Sequence, residues 1–555
     1  MTKKTRISIL LLAFIFLFGF FLRVYRLNLN IPELYSDEVG HYYFYNALKS
    51  PNTTLVSKLF FLPFTFTWIF GLNPFGVRVA SVLFGSLTII AGYYFAKTIS
   101  KQTGTNLYLR IALVYSALMA VLPWNFSISR LGHTHVPIIV LTALLHLFLY
   151  IKSKTNLEKL ASFIPFLIGS YYYPNLLLMS PLILLLPIKE IFFGNKSRLV
   201  QNLLLFFAFG SVCLGLLIFK YEVFSKTARG LDLAIWNDVN TTYNTDKFRG
   251  LSQKSDVSIF SLHQNPEIIL NKVFFNRLSA TAQVFTKNYF SFFSPNFLFL
   301  KGDNILRHST GMVGSFYLFL LPFMLYGGYL FYNNQTTRNK IIFTTWLLAS
   351  PIPAAITKDG DSYLLRAITL MPLLTYFCSL GIVSFLSVIN AWRYKAVYLL
   401  VLGTIAFSSI FYYFFGYFHV YPGLAKDSFE YGFKNLSDFQ LLHPKKLLIT
   451  WEDKYPYLQF CFWQNRPIAG CKFEDTNTRE VSGESRADLP ISNLLFSLPK
   501  NEIDLNKIVN KYQPDYIAVS SRYFSMYPNF FTNKKLAAEI KNPDDTVSFR
   551  VYLLD

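Results

Sequence analysis

Apolar segments long enough to cross a lipid bilayer recur along this chain, and they constrain its fold more than any other feature. A membrane-spanning helix needs about 20 mostly apolar residues, because every backbone polar group inside the bilayer must be paired within the protein. The sequence predicts about eleven such segments. They cover residues 7–27, 75–99, 106–124, 134–152, 158–173, 174–193, 200–221, 311–332, 341–357, 366–389 and 394–418.

The charged residues agree with a membrane location. Only 15% of the 555 residues are charged, whereas a soluble domain usually has about a quarter. The net charge of +21 does not indicate nucleic-acid binding, because Lys and Arg do not gather in one basic domain with interleaved aromatic residues. We therefore predict an all-α polytopic membrane protein whose partners include membrane lipid but no nucleic acid.

The positions of Lys and Arg also predict an orientation. If the N-terminus is cytoplasmic, the connections on the cytoplasmic side are short and basic, which is the usual pattern in membrane proteins. They contain Lys97 and Lys101; Lys152, Lys154 and Lys159; Lys189, Lys196 and Arg198; Arg338 and Lys340; Arg393 and Lys395. An odd number of spans then places the C-terminus outside, so we predict a multi-pass protein of the cell (plasma or inner) membrane.

Three long segments are external in this arrangement, at 28–74, 222–310 and 419–555. We predict that residues 1–418 form the membrane domain, with the first two segments as its external loops. We predict that residues 419–555, called the tail below, form a small extracytoplasmic α/β domain.

The pattern within the tail indicates particular elements. "KKLLIT" (445–450) and "DYIAVSS" (515–521) are typical of buried strands bounded by polar turns, and 505–512 is typical of a helix before the second strand. Cys461 and Cys471 would be able to form a disulfide outside the cytoplasm, but their spacing alone leaves that pairing open.

Scarce negative charge gathers directly after the first span, in the stretch PELYSDEVG. Glu33, Asp37 and Glu38 lie within it, and before residue 222 the chain has only two other acidic residues, Glu158 and Glu190. Ionisable groups beside a bilayer are costly and usually mark a functional site. The stretch is therefore the candidate active site.

Two interpretations of this stretch stay open. In the first, Ser36 is the N-cap of a short helix, and Asp37 and Glu38 merely complement the positive end of its dipole. In the second, Asp37 and His41 share a helix face at spacing i, i+4, and the carboxylate takes a proton from an attacking hydroxyl. Asp37 and Glu38 would also be able to bind a divalent metal ion through their oxygens.

The order of several motifs resembles a known class of enzyme. The first span ends in Arg-x-x-Arg-Leu, and a proline and then the Asp-Glu pair follow on the external loop. Later segments match in order: SISRLGHTH (127–135), YFSFFSPNFLFLKGDNILRHSTG (289–311) and SPIPAAITKDGDSYLLRAITLMPLL (350–374). Over roughly residues 7–418 the chain resembles the GT-C type membrane glycosyltransferases. The nearest groups are the protein O-mannosyltransferases and the lipid A aminoarabinose transferases (glycosyltransferase families 39 and 83).

This resemblance implies a fold, an activity and residue roles. It implies a GT-C fold and a hexosyl- or pentosyltransferase (EC 2.4 class) that takes a sugar from a polyprenyl-phosphate carrier outside the membrane. The acceptor hydroxyl would belong to a protein, a lipid or a glycan, and transfer would occur with inversion. By position the catalytic residues are Asp37, as base, and Glu38, assisting through charge or metal binding. Because residues 39–157 contain no carboxylate, a second acid would come from elsewhere, such as Asp303.

A phosphate leaving group also requires cations that stabilise its developing charge, and arginine matches phosphate oxygens best. The candidates at external ends of spans or in external loops are Arg130, Arg366, Arg307 and Lys301, together with His41 near the acids. The alternative for each cation is an ordinary surface or snorkelling side chain.

A membrane transporter or lipid flippase is the competing functional class. Transporters usually carry ionisable groups near the bilayer midplane and often show repeated halves. Here the acids lie at the external edge and no internal repeat is evident. These two features favour the transferase over the transporter.

Overall fold

The computed structural model describes residues 3–49, 65–183, 186, 233–254, 274–450, 456–466, 489–491, 493–497, 499–527 and 529–554. The predicted span at 200–221 lies outside the described residues, as do parts of the external segments and Cys471. Cys461 is buried and disulfide-bonded. Its predicted pairing with Cys471 stays a prediction.

Five described helices are long and apolar enough to cross a membrane. They are Lys3–Val24, Pro74–Lys101, His135–Lys152, Ile368–Ile389 and Lys395–His419, and each coincides with a predicted span. Five other predicted spans contain shorter helices: Tyr108–Val121, Phe163–Tyr172, Pro174–Ile183, Leu321–Asn334 and Thr337–Ala349. The prediction of about eleven full-length spans is therefore not confirmed.

Prolines account for two of the short helices. Leu122 precedes Pro123 and has an extended backbone (φ −63°, ψ 136°), so the helix Tyr108–Val121 ends there. Tyr173 precedes Pro174 and is also extended (φ −148°, ψ 137°). Residues before proline avoid the helical region, because the proline ring clashes with their backbone.

The chain divides into two compact units that do not follow the sequence order. The first unit, called the membrane unit below, comprises 1–23, 83–129 and 135–413. The second, called the loop–tail unit below, comprises 24–82, 130–134 and 414–555. The first external segment thus groups with the tail. The predicted domain boundary at residue 418 stays a prediction.

The described residues of the membrane unit are mostly helical. Besides the apolar helices above, it contains Pro123–Ile128, Asn156–Ala161, Val239–Lys254, Arg277–Ser291 and Ile352–Ala355, and a π-helical turn at Asn296–Leu300. The helix Leu321–Asn334 and the helix Met371–Ile389 approach closely. A Cβ at Gly327 would stand 1.8 Å from the carbonyl oxygen of Phe377, and one at Gly381 would stand 2.0 Å from that of Phe323. Small residues allow such contact between membrane helices.

The loop–tail unit combines short helices with one mixed sheet. Its helices are Ser36–Val39, His41–Lys49, Thr65–Phe70, Tyr421–Leu424, Phe433–Leu442, Pro456–Trp463 and Glu502–Tyr512. The strands are β1 (Leu447–Thr450), β2 (Leu489–Ile491), β3 (Leu494–Ser497), β4 (Tyr516–Ser520), β5 (Leu536–Lys541) and β6 (Val547–Leu553). The order is β2-β3-β1-β4-β6-β5. β1 pairs in parallel with β3 and β4, and the other pairs are antiparallel.

The predicted α/β character of the tail is confirmed, as are both predicted strands and the helix before the second. One finding was not predicted. A single hydrophobic core joins the sheet to the first external segment: Leu34, Val39, Tyr42 and Val77 pack in the same cluster as Phe433, Leu436, Ile449, Phe460 and Phe549. The acidic stretch is therefore built into the tail's core rather than lying as a separate loop.

Candidate active site

The acidic stretch forms two short helices, Ser36–Val39 and His41–Lys49, on either side of Gly40. The predicted N-cap at Ser36 is wrong: Tyr35, with an extended backbone, occupies the cap position. Ser36 is the first helical residue, and both its N–H (3.0 Å) and its hydroxyl (2.5 Å) donate to the Glu430 carboxylate. An acceptor from the tail thus replaces the local cap.

Glu38 forms an enclosed ion pair with Arg78. The guanidinium donates from Nε to Oε1 (2.8 Å) and from Nη2 to Oε2 (2.7 Å), and the two side chains are 0% and 2% exposed. The N–H of Gly132 donates a third bond to Oε1 (2.7 Å). Paired and hydrogen-bonded on this scale, a buried carboxylate can remain charged.

Arg78 also ties the loop backbone together. Its Nη1 donates to the carbonyl of Ile31 (2.5 Å), and its Nη2 donates to the carbonyl of Glu33 (2.8 Å). One arginine thereby holds both the segment before the acidic helix and the helix itself. Glu38 is fully engaged in this frame, so its contacts suit positioning rather than contact with substrate.

Asp37 is the open carboxylate of the group. Its side chain is 57% exposed, and its Oδ2 lies 3.4 Å from Nε2 of His133. That nitrogen also lies 2.8 Å from the hydroxyl of Tyr35, which is buried. The next residue in the chain, Glu38, is fully buried, so the same short helix presents one fixed and one accessible carboxylate.

His41 is enclosed. Its Nε2 lies 2.9 Å from the carbonyl of Gly132, and its Nδ1 lies 3.3 Å from Oγ1 of Thr67. Burial lowers the pKa of His41 to about 4, so the ring is neutral near pH 7. A neutral, enclosed imidazole is poorly suited to phosphate, so the predicted phosphate contact of His41 gains no support.

Arg130 lies within the loop–tail unit and is also buried. It donates from Nη1 to the carbonyl of Tyr25 (2.7 Å) and from Nε to the hydroxyl of Tyr417 (3.2 Å). Its guanidinium lies 5.3 Å from the Tyr417 ring centroid and 5.4 Å from that of Phe418. These contacts hold the backbone at Tyr25, directly after the helix Lys3–Val24. The predicted phosphate role of Arg130 stays a prediction.

Arg366 lies in the membrane unit and is mostly buried, at 12% exposure. It donates to both carboxylate oxygens of Asp359 (2.5 and 3.1 Å) and to Oγ1 of Thr357 (2.6 Å). Its guanidinium stacks 4.3 Å from the Tyr363 ring centroid. Burial raises the pKa of Tyr363, while the charges of Arg366 and Arg307 act on it in the opposite direction. Arg366 thus stacks on Tyr363, and the charge of Arg307 also acts on the pKa of that tyrosine.

Asp303, the suggested second acid, is buried beside the same tyrosine. Its Oδ2 accepts from Nδ1 of His308 (2.9 Å) and from the N–H of Leu364 (2.7 Å), and its Oδ1 accepts from the N–H of Ile305 (2.7 Å). These bonds shape the loop around it. Lys301 is exposed, and its role stays a prediction.

A metal site at Asp37 and Glu38 does not fit the contacts of these two residues. Both oxygens of Glu38 already accept hydrogen bonds from Arg78. Within the described part of the chain, no group of three or more His, Cys, Asp or Glu residues is arranged to hold a metal ion. We therefore derive no step through a metal.

Two buried groups of the site should give opposite pH dependences of stability. Burial raises the pKa of Glu33 to about 7, although the N–H groups of Lys434 and Gly432 donate to it and Lys434 is nearby. The folded state then binds more protons than the unfolded state between pH 4.5 and 7, so Glu33 makes stability fall as pH rises. His41, with its pKa lowered to about 4, makes stability rise between pH 4 and 6.5.

We expect the two slopes, each approaching ~1.4 kcal/mol per pH unit, to oppose each other between pH 4.5 and 6.5. Relative to wild type, Glu33→Gln should therefore shift the pH dependence of the thermal unfolding midpoint towards a rise with pH, and His41→Asn should shift it towards a fall. Unfolding in detergent at pH 4.5, 5.5 and 6.5 measures this. Parallel profiles for wild type and both variants would contradict it.

Three residues of this site were missed in the sequence: Arg78, Glu430 and Gln459. Arg78 had a usable signal, because a single arginine near the start of an apolar helix needs a partner. Glu430 and Gln459 had no local signal, since both meet the loop only through the tertiary fold.

Comparisons with known proteins give only remote similarities. No family model and no curated protein matches the chain. The oligosaccharyltransferase AglB from Archaeoglobus fulgidus, in complex with an inhibitory peptide and a dolichol-phosphate, is 12% identical with a TM-score of 0.49 over 99% of this chain and 74% of that one. The same oligosaccharyltransferase with Zn and sulfate gives 12% and 0.47 over 97% and 72%. ArnT from Cupriavidus metallidurans gives 11% and 0.45 over 99% and 98%.

These matched proteins are membrane glycosyltransferases of the GT-C type. They are the class of enzyme that the sequence motifs resemble. With TM-scores below 0.5 and about one residue in eight identical, the similarity carries no argument about the function of this chain.

Proposed function

We propose that the chain is an integral-membrane glycosyltransferase that moves a sugar from a polyprenyl-phosphate donor to an acceptor hydroxyl on the outer face of the membrane. The observation that carries the proposal is the half-exposed carboxylate of Asp37 beside the buried Glu38–Arg78 pair. A fixed frame with one accessible base is the arrangement that general-base catalysis requires. The described helices that are long and apolar enough to cross a membrane also support the proposal.

In the proposed reaction Asp37 accepts the proton of the acceptor hydroxyl. The freed oxygen attacks the anomeric carbon of the sugar, and a new glycosidic bond forms as the bond from that carbon to the phosphate oxygen breaks. The polyprenyl phosphate leaves with the electron pair, and the configuration inverts. Glu38 and Arg78 do not touch the substrate; they hold the helix so that Asp37 stays in place.

Arg366 and Arg307 are the proposed phosphate ligands. The carboxylate of Asp359, 48% exposed, occupies the guanidinium of Arg366 in a bidentate pair, which is also the geometry that a phosphate oxygen pair adopts with arginine. A donor phosphate would therefore compete with Asp359 for this guanidinium. Arg130 is already bonded to backbone carbonyls, which suits it less to this role.

The direct test uses the full-length protein in liposomes. Radiolabelled polyprenyl-phosphate sugars are supplied with acceptors from membrane fractions, and products are identified by mass spectrometry. Formation of a new glycosidic bond is the expected result. Movement of the labelled lipid across the liposome without any new bond would refute the transferase and favour a transporter or flippase.

A further inference from the structure

Two side chains of the tail hold the backbone immediately before Asp37. The hydrogen bonds of Glu430 and Gln459 to each other, to Ser36 and to Leu34 are called the clasp below. Glu430 accepts from the N–H and the hydroxyl of Ser36, through Oε1. Gln459 donates from its Nε2 to the carbonyl of Leu34 (2.8 Å) and to Oε2 of Glu430 (2.8 Å). Glu430 and Gln459, both buried, thereby hold two of the three residues that precede Asp37.

The acidic stretch also accepts hydrogen bonds from the tail in return. Glu33 of the loop accepts from the N–H groups of Gly432 (3.3 Å) and Lys434 (3.1 Å) in the tail. The loop and the tail thus each supply a carboxylate that accepts hydrogen bonds from the backbone of the other: Glu33 from the tail, and Glu430 from the loop. Because unpaired buried polar groups are costly, loss of one partner should loosen the contact rather than leave it unchanged.

The backbone of Glu430 supports a dedicated role. Its φ is 52°, in the left-handed region, which is strained for a residue with a side chain. Asparagine or glycine would occupy this conformation more easily. The presence of a glutamate there agrees with its side chain being needed at Ser36 and Gln459.

Other fixed contacts surround the same point. Tyr35 packs edge-on against Phe429, with ring centroids 5.7 Å apart, and the Arg78 guanidinium lies 5.7 Å from the Phe429 centroid. Trp463 donates from Nε1 to Oε1 of Gln459 (3.0 Å), so the amide orientation of Gln459 is fixed. Its Nε2 therefore faces Leu34 and Glu430, as the clasp requires.

We propose that Glu430 and Gln459 are positioning residues for Asp37, which makes these two tail residues a working part of the active site. The proposal rests on the proposed function, because it assigns both residues to the placement of the base. Neither residue donates or accepts a proton in the reaction. They act by keeping Asp37 within reach of the acceptor hydroxyl, and a displacement of about 1 Å can cost ~10²-fold in rate.

A charge-swap series tests the clasp. Glu430→Gln replaces the acceptor carboxylate by an amide, and Gln459→Glu sets two carboxylates against each other. The double variant, Glu430→Gln with Gln459→Glu, restores one amide facing one carboxylate. Gln464→Glu is the matched control, because it makes the same change in the tail at a side chain bonded to Ser437 and Gln440.

We expect each single variant to lower kcat about 10- to 100-fold per folded molecule with a small change in KM for the donor. The double variant should recover part of the loss, because it restores the pair between the two side chains but leaves the carbonyl of Leu34 without the donor that Gln459 supplies. Gln459→Glu should also regain activity at lower pH, because facing carboxylates can share a proton. Gln464→Glu should behave like wild type. An unchanged kcat in both single variants would overturn the positioning role.

Hydrogen exchange of the amides in residues 36–49 separates this proposal from the proposed function. Exchange there should be faster in both single variants than in wild type, and slower in the double variant than in either single variant. If exchange follows this pattern but the wild type transfers no sugar, the clasp exists but the transferase is refuted. The catalytic role of the clasp is then refuted as well. Unchanged exchange in both single variants, with wild-type transfer intact, would overturn the clasp alone.

Discussion

Replacing Asp37 by Asn should reduce sugar transfer by about 10²–10⁴-fold, the range typical for loss of a general base. The amide cannot take the acceptor proton, yet it has the same shape and keeps the first-turn position. Because the Asp37 side chain is 57% exposed, the thermal unfolding midpoint should change little. Transfer by purified protein at saturating donor is the measurement, with the unfolding midpoint recorded in parallel.

Asp504→Asn is the matched control for this variant. Asp504 also lies in the first turn of a short helix of the loop–tail unit, Glu502–Tyr512, and is partly exposed. It should retain full activity. If Asp37→Asn transfers sugar as well as Asp504→Asn does, Asp37 is not the base.

Arg78→Met should destabilise the protein by about 3–5 kcal/mol, the usual cost of leaving a buried charge without its partner. The Glu38 carboxylate would keep only the Gly132 N–H, and the carbonyls of Ile31 and Glu33 would lose their donor. Since whole domains are stable by only about 5–15 kcal/mol, we expect a large fall in unfolding midpoint and in yield. Unfolding in detergent and limited proteolysis measure it.

Two other variants serve as comparisons for the stability loss expected of Arg78→Met. Glu38→Gln should cost less, because Arg78 would keep its two carbonyl acceptors. Arg550→Met removes the partly exposed pair with Glu539 and should cost at most about 1 kcal/mol. Equal midpoints for Arg78→Met and Arg550→Met would show that the buried pair contributes no stability.

The sequence was informative where local patterns decide structure. Apolar length predicted the helices Lys3–Val24 and Lys395–His419, and the buried strands of the tail followed from short apolar runs bounded by polar turns. Span length was less predictable, because prolines such as Pro123 and Pro174 end helices within runs that remain apolar. The acidic stretch was identified as the candidate site because charge beside lipid is rare.

The arrangement within the site could not be predicted in this way. Ser36 has the composition of an N-cap, but a carboxylate from Glu430, 394 residues away, captures its N–H instead. Glu38 and Asp37 are adjacent and chemically alike, and only the fold shows that one is buried against Arg78 and the other is open. Long-range partners of this kind leave no periodicity in a single sequence.

The shared core of the first external segment and the tail also bears on how the protein is made. Leu34 and Val39 emerge early in synthesis, whereas Ile449 and Phe549, in the same core, emerge near its end. Contacts so distant in sequence form slowly. The helix Ser36–Val39, which carries Asp37, can therefore be enclosed only after the last strands of the tail have been synthesised. A nascent or truncated polypeptide should therefore remain inert, and activity should begin only once synthesis has finished.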